Sequence, residues 1–254
     1  MALTSLTIDS HVATLAIEPR DGYADRALVE ALTTACRMVA SDTERIRAVV
    51  LQSRGAHFCR GWSANVLAER HQFGVPVAPL GAVFEALAAL PQPTVAAIEG
   101  SAHSAGLEFA LACDIRVADA DATFGMPEVA LGQMPRGGAT QRLPRAVGRA
   151  AALRMLLTGA TIDAPEAHRI GLVSEVVSSG AAVSAATAIA RTIASRGPIA
   201  TRLVKEAVYR GIELPLEHAL RYELDLTVLL QTTEDRAEGV RAFIEQRPPH
   251  FTGA

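Results

Sequence analysis

The 254-residue chain lacks the features that mark several protein classes. It has only three cysteines, Cys36, Cys59 and Cys113, and no Cys-x-x-Cys pair. So sparse and odd a set argues against a disulfide scaffold or a cysteine zinc site, and fits buried thiols in a reducing, cytoplasmic compartment. No block of like charges occurs and the net charge is -3. Nucleic acid and an anionic membrane surface are therefore not expected partners. No apolar run approaches the ~18 residues needed to cross a bilayer. The segment Met1–Asp9 has neither the basic start nor the apolar core of a secretory signal. There is no repeat, no low-complexity tract and no metal-ligand spacing, so no metal is expected.

What is present suits a globular protein. Half of the residues are hydrophobic and 20% are charged, enough to bury one large core with or without an appendage. Leu3–Ile8 and Val12–Ile17 alternate as two half-buried strands joined by a tight turn at Asp9-Ser10-His11. Leu28, Leu32, Ala35, Cys36 and Val39 have helical spacing within Ala24–Ala40, and Ile46–Gln52 reads as a buried strand. Ala64–Pro79 has mixed signals and is read as covering one side of a cleft. Leu80–Leu90 is an amphipathic helix stopped by Pro91-Gln92-Pro93. Strands follow at Thr94–Ile98, Asp114–Ala118 and Ala122–Glu128, the last running into a proline loop and then a glycine-rich loop, Leu131–Thr140. Helices over Arg149–Leu157 and Ala164–Arg169 are ended by Gly159 and Gly171, before a short strand at Leu172–Val177. From Ala181 onward the pattern is helical, with breaks at Gly197-Pro198, Gly211–Pro215 and Thr232-Thr233. The expected class is α/β, with a core over 1–194 and a helical C-terminal region over 195–254.

The chemistry concentrates in Ile98–Asp114, where an apolar strand breaks into small residues and turns helical around Ala105. Free amides at such a helix start, with the positive end of its dipole, suit an anion or a developing oxyanion. Glu108, one turn in, adds a carboxylate for acid–base work. A packing turn followed by a dipole-favoured glutamate would look the same.

Two further loops, Phe58-Cys59-Arg60-Gly61-Trp62-Ser63 and Met126-Pro127-Glu128, complete a constellation with Ser104-Ala105-Gly106-Leu107-Glu108. With these the sequence resembles the crotonase superfamily, the enoyl-CoA hydratase/isomerase family. Ala97–Arg116 resembles its second oxyanion-hole segment, and Phe124–Gly132 its second glutamate loop. Thr140–Gly148, Leu157–Gly159, Ala167–Val173, Thr233–Gly239 and Arg247–Phe251 resemble later family segments in the same order. The resemblance implies a spiral of strand–strand–helix units with a helical C-terminal region that forms trimers, often paired into hexamers. It implies an acyl-CoA substrate, with coenzyme A part of that substrate and no separate cofactor. The amides of Trp62 and Ala105 would form the oxyanion hole, Glu108 would be the base and Glu128 the acid for water addition. Substrate contacts would come from Ala24, Arg60, Ser63, Ala64, Gly106, Pro127, Arg136 and Phe243.

Several positions depart from the family pattern. Gly61-Trp62-Ser63 stands where Gly-Ala-Asp is usual, Ser104-Ala105-Gly106 where three glycines are frequent, and Arg136 where a glycine follows the proline. No Asn-Ala-Leu motif is recognisable around Gly22–Leu28. The departures point to an unusual acyl group. Trp62 has alternatives: packing against Phe58, or against the acyl-CoA tail. Arg60 could meet the CoA phosphates or solvent, and Phe243 the adenine end of CoA or its own helix. His57 and His103 could face the cleft or serve packing, and Arg142 and Arg145 are expected in structural ion pairs. Hydration has two rivals: isomerisation or other enolate chemistry, and a non-catalytic CoA-binding scaffold.

Overall fold

The computed structural model describes residues 3–69 and 78–254. Strands β1 (Thr4–Asp9) and β2 (Val12–Ile17) form an antiparallel hairpin. Ser10 and His11 both take positive φ, the backbone of a two-residue turn whose twist matches the strands it joins. Four strands then extend the sheet in parallel: β4 (Ala48–Ser53), β6 (Thr94–Ile98), β8 (Ile115–Asp119) and, at the far edge, β11 (Glu175–Val177).

Each of the inner strands is followed by a shorter strand outside the main sheet. After β2 comes β3 (Tyr23–Ala24), after β4 comes β5 (Gly61–Trp62), after β6 comes β7 (Ser101–His103), and after β8 comes β9 (Thr123–Gly125). β3 pairs with β5, while β7 pairs with β9, which also carries β10 (Thr161–Asp163). A bridge between Cys59 and Ala102 joins the two small sets. Helices close the turns: α1 (Arg26–Ser41), α2 (Ala64–Ala68) with α3 (Ala78–Ala88), α4 (Ala105–Ala112), and α5 (Ala139–Val147) with α6 (Arg149–Thr158). This is the expected strand–strand–helix spiral. Strand β7 and helix α5 are additions to the sequence reading, which took their residues as turn and left them unassigned. The part of the Ala64–Pro79 cover that falls on 70–77 lies outside the described residues.

Alternation along the central strands feeds two cores. In β4, Val49 and Leu51 join the large core under α1 and α3, while Ala48 and Val50 face the opposite side. In β6, Ala96 and Ile98 take the first side, Val95 and Ala97 the second. That second face is covered by α8 (Ala182–Ala194), whose Ala182, Ala186, Ala190 and Ala194 form a flat buried stripe. Asp119 at the end of β8 accepts from the amides of Gly180 (2.7 Å) and Ala182 (2.9 Å), fixing the start of α8. Beyond it lie α9 (Pro198–Gly211), α10 (Leu216–Gln231) and α11 (Glu234–Ile244). The small alanines let a helix sit close over the sheet, so the strand ends carrying the second layer are held rigidly.

Candidate active site

The two loops expected to supply backbone donors are knitted together. Phe58 donates to Glu99 O (2.8 Å), Cys59 to Ser101 O (3.0 Å), and His103 back to Cys59 O (3.0 Å). Two glycines permit that approach. A Cβ on Gly106 would stand 2.1 Å from the Cys59 carbonyl oxygen, and one on Gly100 would stand 2.4 Å from Ala56 O. The contact continues to the next pair, where a Cβ on Gly61 would lie 3.0 Å from Ser104 Cβ. Trp62 and Ala105 therefore follow directly on two residues already in contact. Ala105 is the first residue of α4, so its amide has no acceptor within the helix. Around Trp62, the amides of Arg60 and Ser63 donate to the carbonyls of Gly22 and Ala24.

Ser104 holds this corner in an unusual backbone state, φ 52° and ψ −121°. Such geometry favours glycine and costs a serine about 1–3 kcal/mol. The surrounding pairing, including Ser104 N–H to Gly125 O (2.9 Å), fixes it.

Two carboxylates are buried beside this corner. Glu108 is fully buried on the first turn of α4. Its Oε1 accepts from the amides of Gly137 (2.6 Å) and Ala139 (3.1 Å), while Oε2 is buried with no partner. Burial pushes its pKa up to about 7, against those amides, and the negative charge of Glu128 adds to the rise. Glu128 lies in a 3-10 turn, Pro127–Leu131, and neither carboxylate oxygen has a partner. Burial raises its pKa too. Ser104 and the charge of Arg136 oppose that rise, Ser104 standing near without completing a hydrogen bond of normal geometry. The Glu128 carbonyl accepts from Gly132 and from Gln133 (3.0 Å), which pins the turn.

The Glu108 anchor is absent from the sequence reading, because backbone amides carry no residue signature. Its only trace is the glycine pair after Arg136. A Cβ on Gly137 would lie 2.6 Å from the Phe84 ring, and Gly138 has φ 97°. Arg142 braces this loop by donating to the Gly137 carbonyl (2.5 Å). Among the described residues Arg142 has no ion-pair partner, whereas Arg145 pairs as expected, with Glu213 at 3.1 Å.

The other expected residues fall in several places. Trp62, Ser63 and Ala64 line a cavity of about 790 Å³, with Tyr23, Arg26 and Glu69 on its walls. Ala24 is buried, pairs with Trp62 across β3 and β5, and supports the donor strand. Gly106 is buried against Cys59, and Pro127 packs beside Gly159. Trp62 packs edge-on against Phe84 (6.0 Å), which stacks on Phe109 (4.9 Å); the ring it meets is Phe84 and not Phe58, which the sequence offered as one of two alternatives. Arg60 lies over the Tyr23 ring at 5.1 Å. Phe243 is 85% exposed on α11, so it does not pack within its own helix. His57 Nδ1 accepts from the Ser101 amide (3.2 Å), a packing role. His103 is part-buried with Nε2 unpartnered, and burial, His57 and Arg60 lower its pKa. Burial pushes the Cys59 thiol up to about 11 and Cys36 and Cys113 to about 12, which makes them poor nucleophiles. Among the described residues no group of three or more His, Cys, Asp or Glu could hold a metal, and no helix is long and apolar enough to cross a membrane.

Comparison with known proteins shows the family of the chain. The family model described as Enoyl-CoA hydratase/isomerase matches residues 23–254. The chain is 41% identical over 211 residues to the Mycobacterium tuberculosis protein named "Probable enoyl-CoA hydratase echA8", covering 83% of this chain and 82% of that one. It is 37% identical over 229 residues to Escherichia coli 2,3-dehydroadipyl-CoA hydratase, covering 90% and 89%. It is 39% identical over 233 residues to rat mitochondrial methylglutaconyl-CoA hydratase, covering 89% and 74%. The crystal structure of an enoyl-CoA hydratase from Bacillus anthracis superimposes with a TM-score of 0.94 at 35% identity, over 99% of this chain and 100% of that one. In sequence and in fold, the chain belongs to the enoyl-CoA hydratase/isomerase family of enzymes.

Proposed function

We propose that this enzyme is an enoyl-CoA hydratase, adding water reversibly and syn across the Cα=Cβ bond of a 2-enoyl-CoA thioester. The observation that carries the reading is a pair of buried carboxylates, Glu108 and Glu128, in which the charge of Glu128 acts on Glu108 and both keep oxygens without partners among the described residues. A scaffold has no use for two buried acids, which are expensive to keep without partners.

The thioester oxygen sits between the amides of Trp62 and Ala105, which stabilise the enolate as negative charge develops on that oxygen. Removing one such donor lowers kcat by about 10²–10³ in well-studied oxyanion holes. Glu108, held through Oε1, offers Oε2 to take a proton from water attacking the β-carbon. Glu128, whose pKa burial raises, gives a proton to the α-carbon. The two acids titrate as a coupled pair, and the base and acid labels describe the hydration direction. Ala24, Arg60, Ser63 and Ala64 border the path of the CoA moiety, Gly106 and Pro127 set the positions of donor and acid, and Arg136 faces the acyl group. Phe243 meets CoA from a neighbouring subunit. Assembly is as a homotrimer or hexamer through the helices of 195–254, and the sparse cysteines support a cytoplasmic location.

The test is hydration of crotonyl-CoA and longer enoyl-CoAs by the Glu108→Gln and Glu128→Gln variants. Each variant loses at least about 10²-fold in kcat. A variant that keeps double-bond isomerisation without one acid would favour the isomerase alternative.

A further inference from the structure

The site holds polar groups that hydration itself does not use. The Trp62 indole is 3% exposed, yet its Nε1 is buried without a partner. The next residue repeats the pattern, since Ser63 Oγ is also buried without a partner. Buried donors left unpaired cost about 1–3 kcal/mol each, and among the described residues neither finds an acceptor.

A cation stands near the acids, where its charge acts on Glu128. Arg136 immediately precedes Gly137, whose amide holds Glu108. Its guanidinium has five N–H donors in a planar fork. Among the described residues only Gln133 Oε1 (2.9 Å) and Val66 O (3.5 Å) receive any of them, and no carboxylate pairs with it. Gln133 in turn donates to Leu67 O (3.3 Å), so the Arg136–Gln133 pair is docked on α2, one turn beyond Trp62. Phe84 links the segments that carry them: Gly137, the residue after Arg136, lies against its ring, and Trp62 meets its edge. Arg136 is also close enough for its charge to lower the pKa of Glu128. A part-buried guanidinium with open donors stands near the acids, and the Trp62 indole and the residue next to Arg136 meet the same Phe84 ring. A plain alkyl chain offers no acceptor to either donor group. A carboxylate matches the guanidinium fork and accepts from the neutral donors as well.

We propose that the acyl chain hydrated by this enzyme carries a carboxylate, received by the Arg136 guanidinium with the Trp62 indole N–H beside it. The assignment rests on the hydratase reading above and narrows its substrate class to 2-enoyl thioesters of dicarboxylic acids.

The experiment measures kcat/KM for glutaconyl-CoA and its longer homologues, each against the uncharged enoyl-CoA of matching chain length. The wild-type enzyme prefers a carboxylated member by about 10- to 100-fold, the worth of one charge-assisted hydrogen bond. In Arg136→Met that preference disappears, and in Trp62→Phe it shrinks. Arg136→Lys restores part of it and keeps the comparison available if the methionine variant does not fold. Equal loss on both substrates in Arg136→Met would show that Arg136 only tunes Glu128 and would overturn the proposal. So would a wild-type preference for the uncharged partner at every chain length, although the hydratase reading would survive it. Hydration of neither series would overturn both.

Discussion

Helices α4 and α10 are both rich in apolar residues, and the fold treats them in opposite ways. All eight residues of α4 are buried, including Glu108. Of the sixteen residues of α10 only Leu226 is buried. Leu216, Leu220, Leu224 and Val228, at i+4 spacing, are between 56% and 74% exposed. In α4 the apolar side chains are consumed by the core, and that packing carries a carboxylate to a place where water cannot hydrate it. In α10 an apolar stripe stays open on the single chain, the property expected of a surface that meets another copy. Tight burial shields a carboxylate in α4, and α10 leaves its apolar stripe open.

The contrast can be broken most severely at Gly106. Gly106→Ala places a Cβ against the Cys59 carbonyl, where no flexible side chain can yield. Overpacking of this kind costs about 3 kcal/mol. The donor segments separate, and activity falls by at least about 10²-fold. A thermal melt and a turnover assay check both.

A similar magnitude with the opposite sign is expected at Glu108. Burial holds its folded pKa at about 7, above the ordinary carboxylate value of 4.5, so the folded state binds the proton more tightly. Stability is then greatest below the unfolded pKa and declines as pH rises through about 7, by roughly 3 kcal/mol in total. Glu108→Gln removes that decline. Denaturant unfolding shows the variant gaining on the wild type between pH 4 and pH 8, and a difference independent of pH would deny the perturbation.

The smallest effect on the single chain belongs to α10. Replacing Leu220 and Leu224 by Ser changes the subunit's own stability by under about 0.5 kcal/mol each, as for ordinary surface positions. The same pair of changes shifts the oligomer to smaller species in light scattering. An unchanged assembly would remove α10 from the interface.

Much of the frame was legible because hydrophobic period and glycine stops are local signals. The hairpin at Ser10-His11, the strands of the main sheet and the helix breaks at Gly197, Gly211 and Thr232 all lie close to where the pattern puts them. Strand β7 was not legible, since Ser101-Ala102-His103 is too short and too mixed to alternate visibly, and it exists through pairing with β9 and Cys59. Helix α5 was hidden by Pro144 inside it and by the glycines before it. The two glutamates and the donor loops were found through a resemblance of ordered motifs. What holds them was not: the Gly137 and Ala139 amides, the Arg142 brace and the Phe84 wall are long-range contacts made by backbone or by ordinary side chains.

The central claim is that Glu108 is a buried base whose proton affinity is tuned close to neutrality. The pH dependence of kcat/KM for the best-hydrated enoyl-CoA tests it most directly. An activity that rises with an apparent pKa of about 7, as Glu108 ionises, is the expected result. A rise completed near the ordinary carboxylate range, with no limb near neutrality, would contradict it.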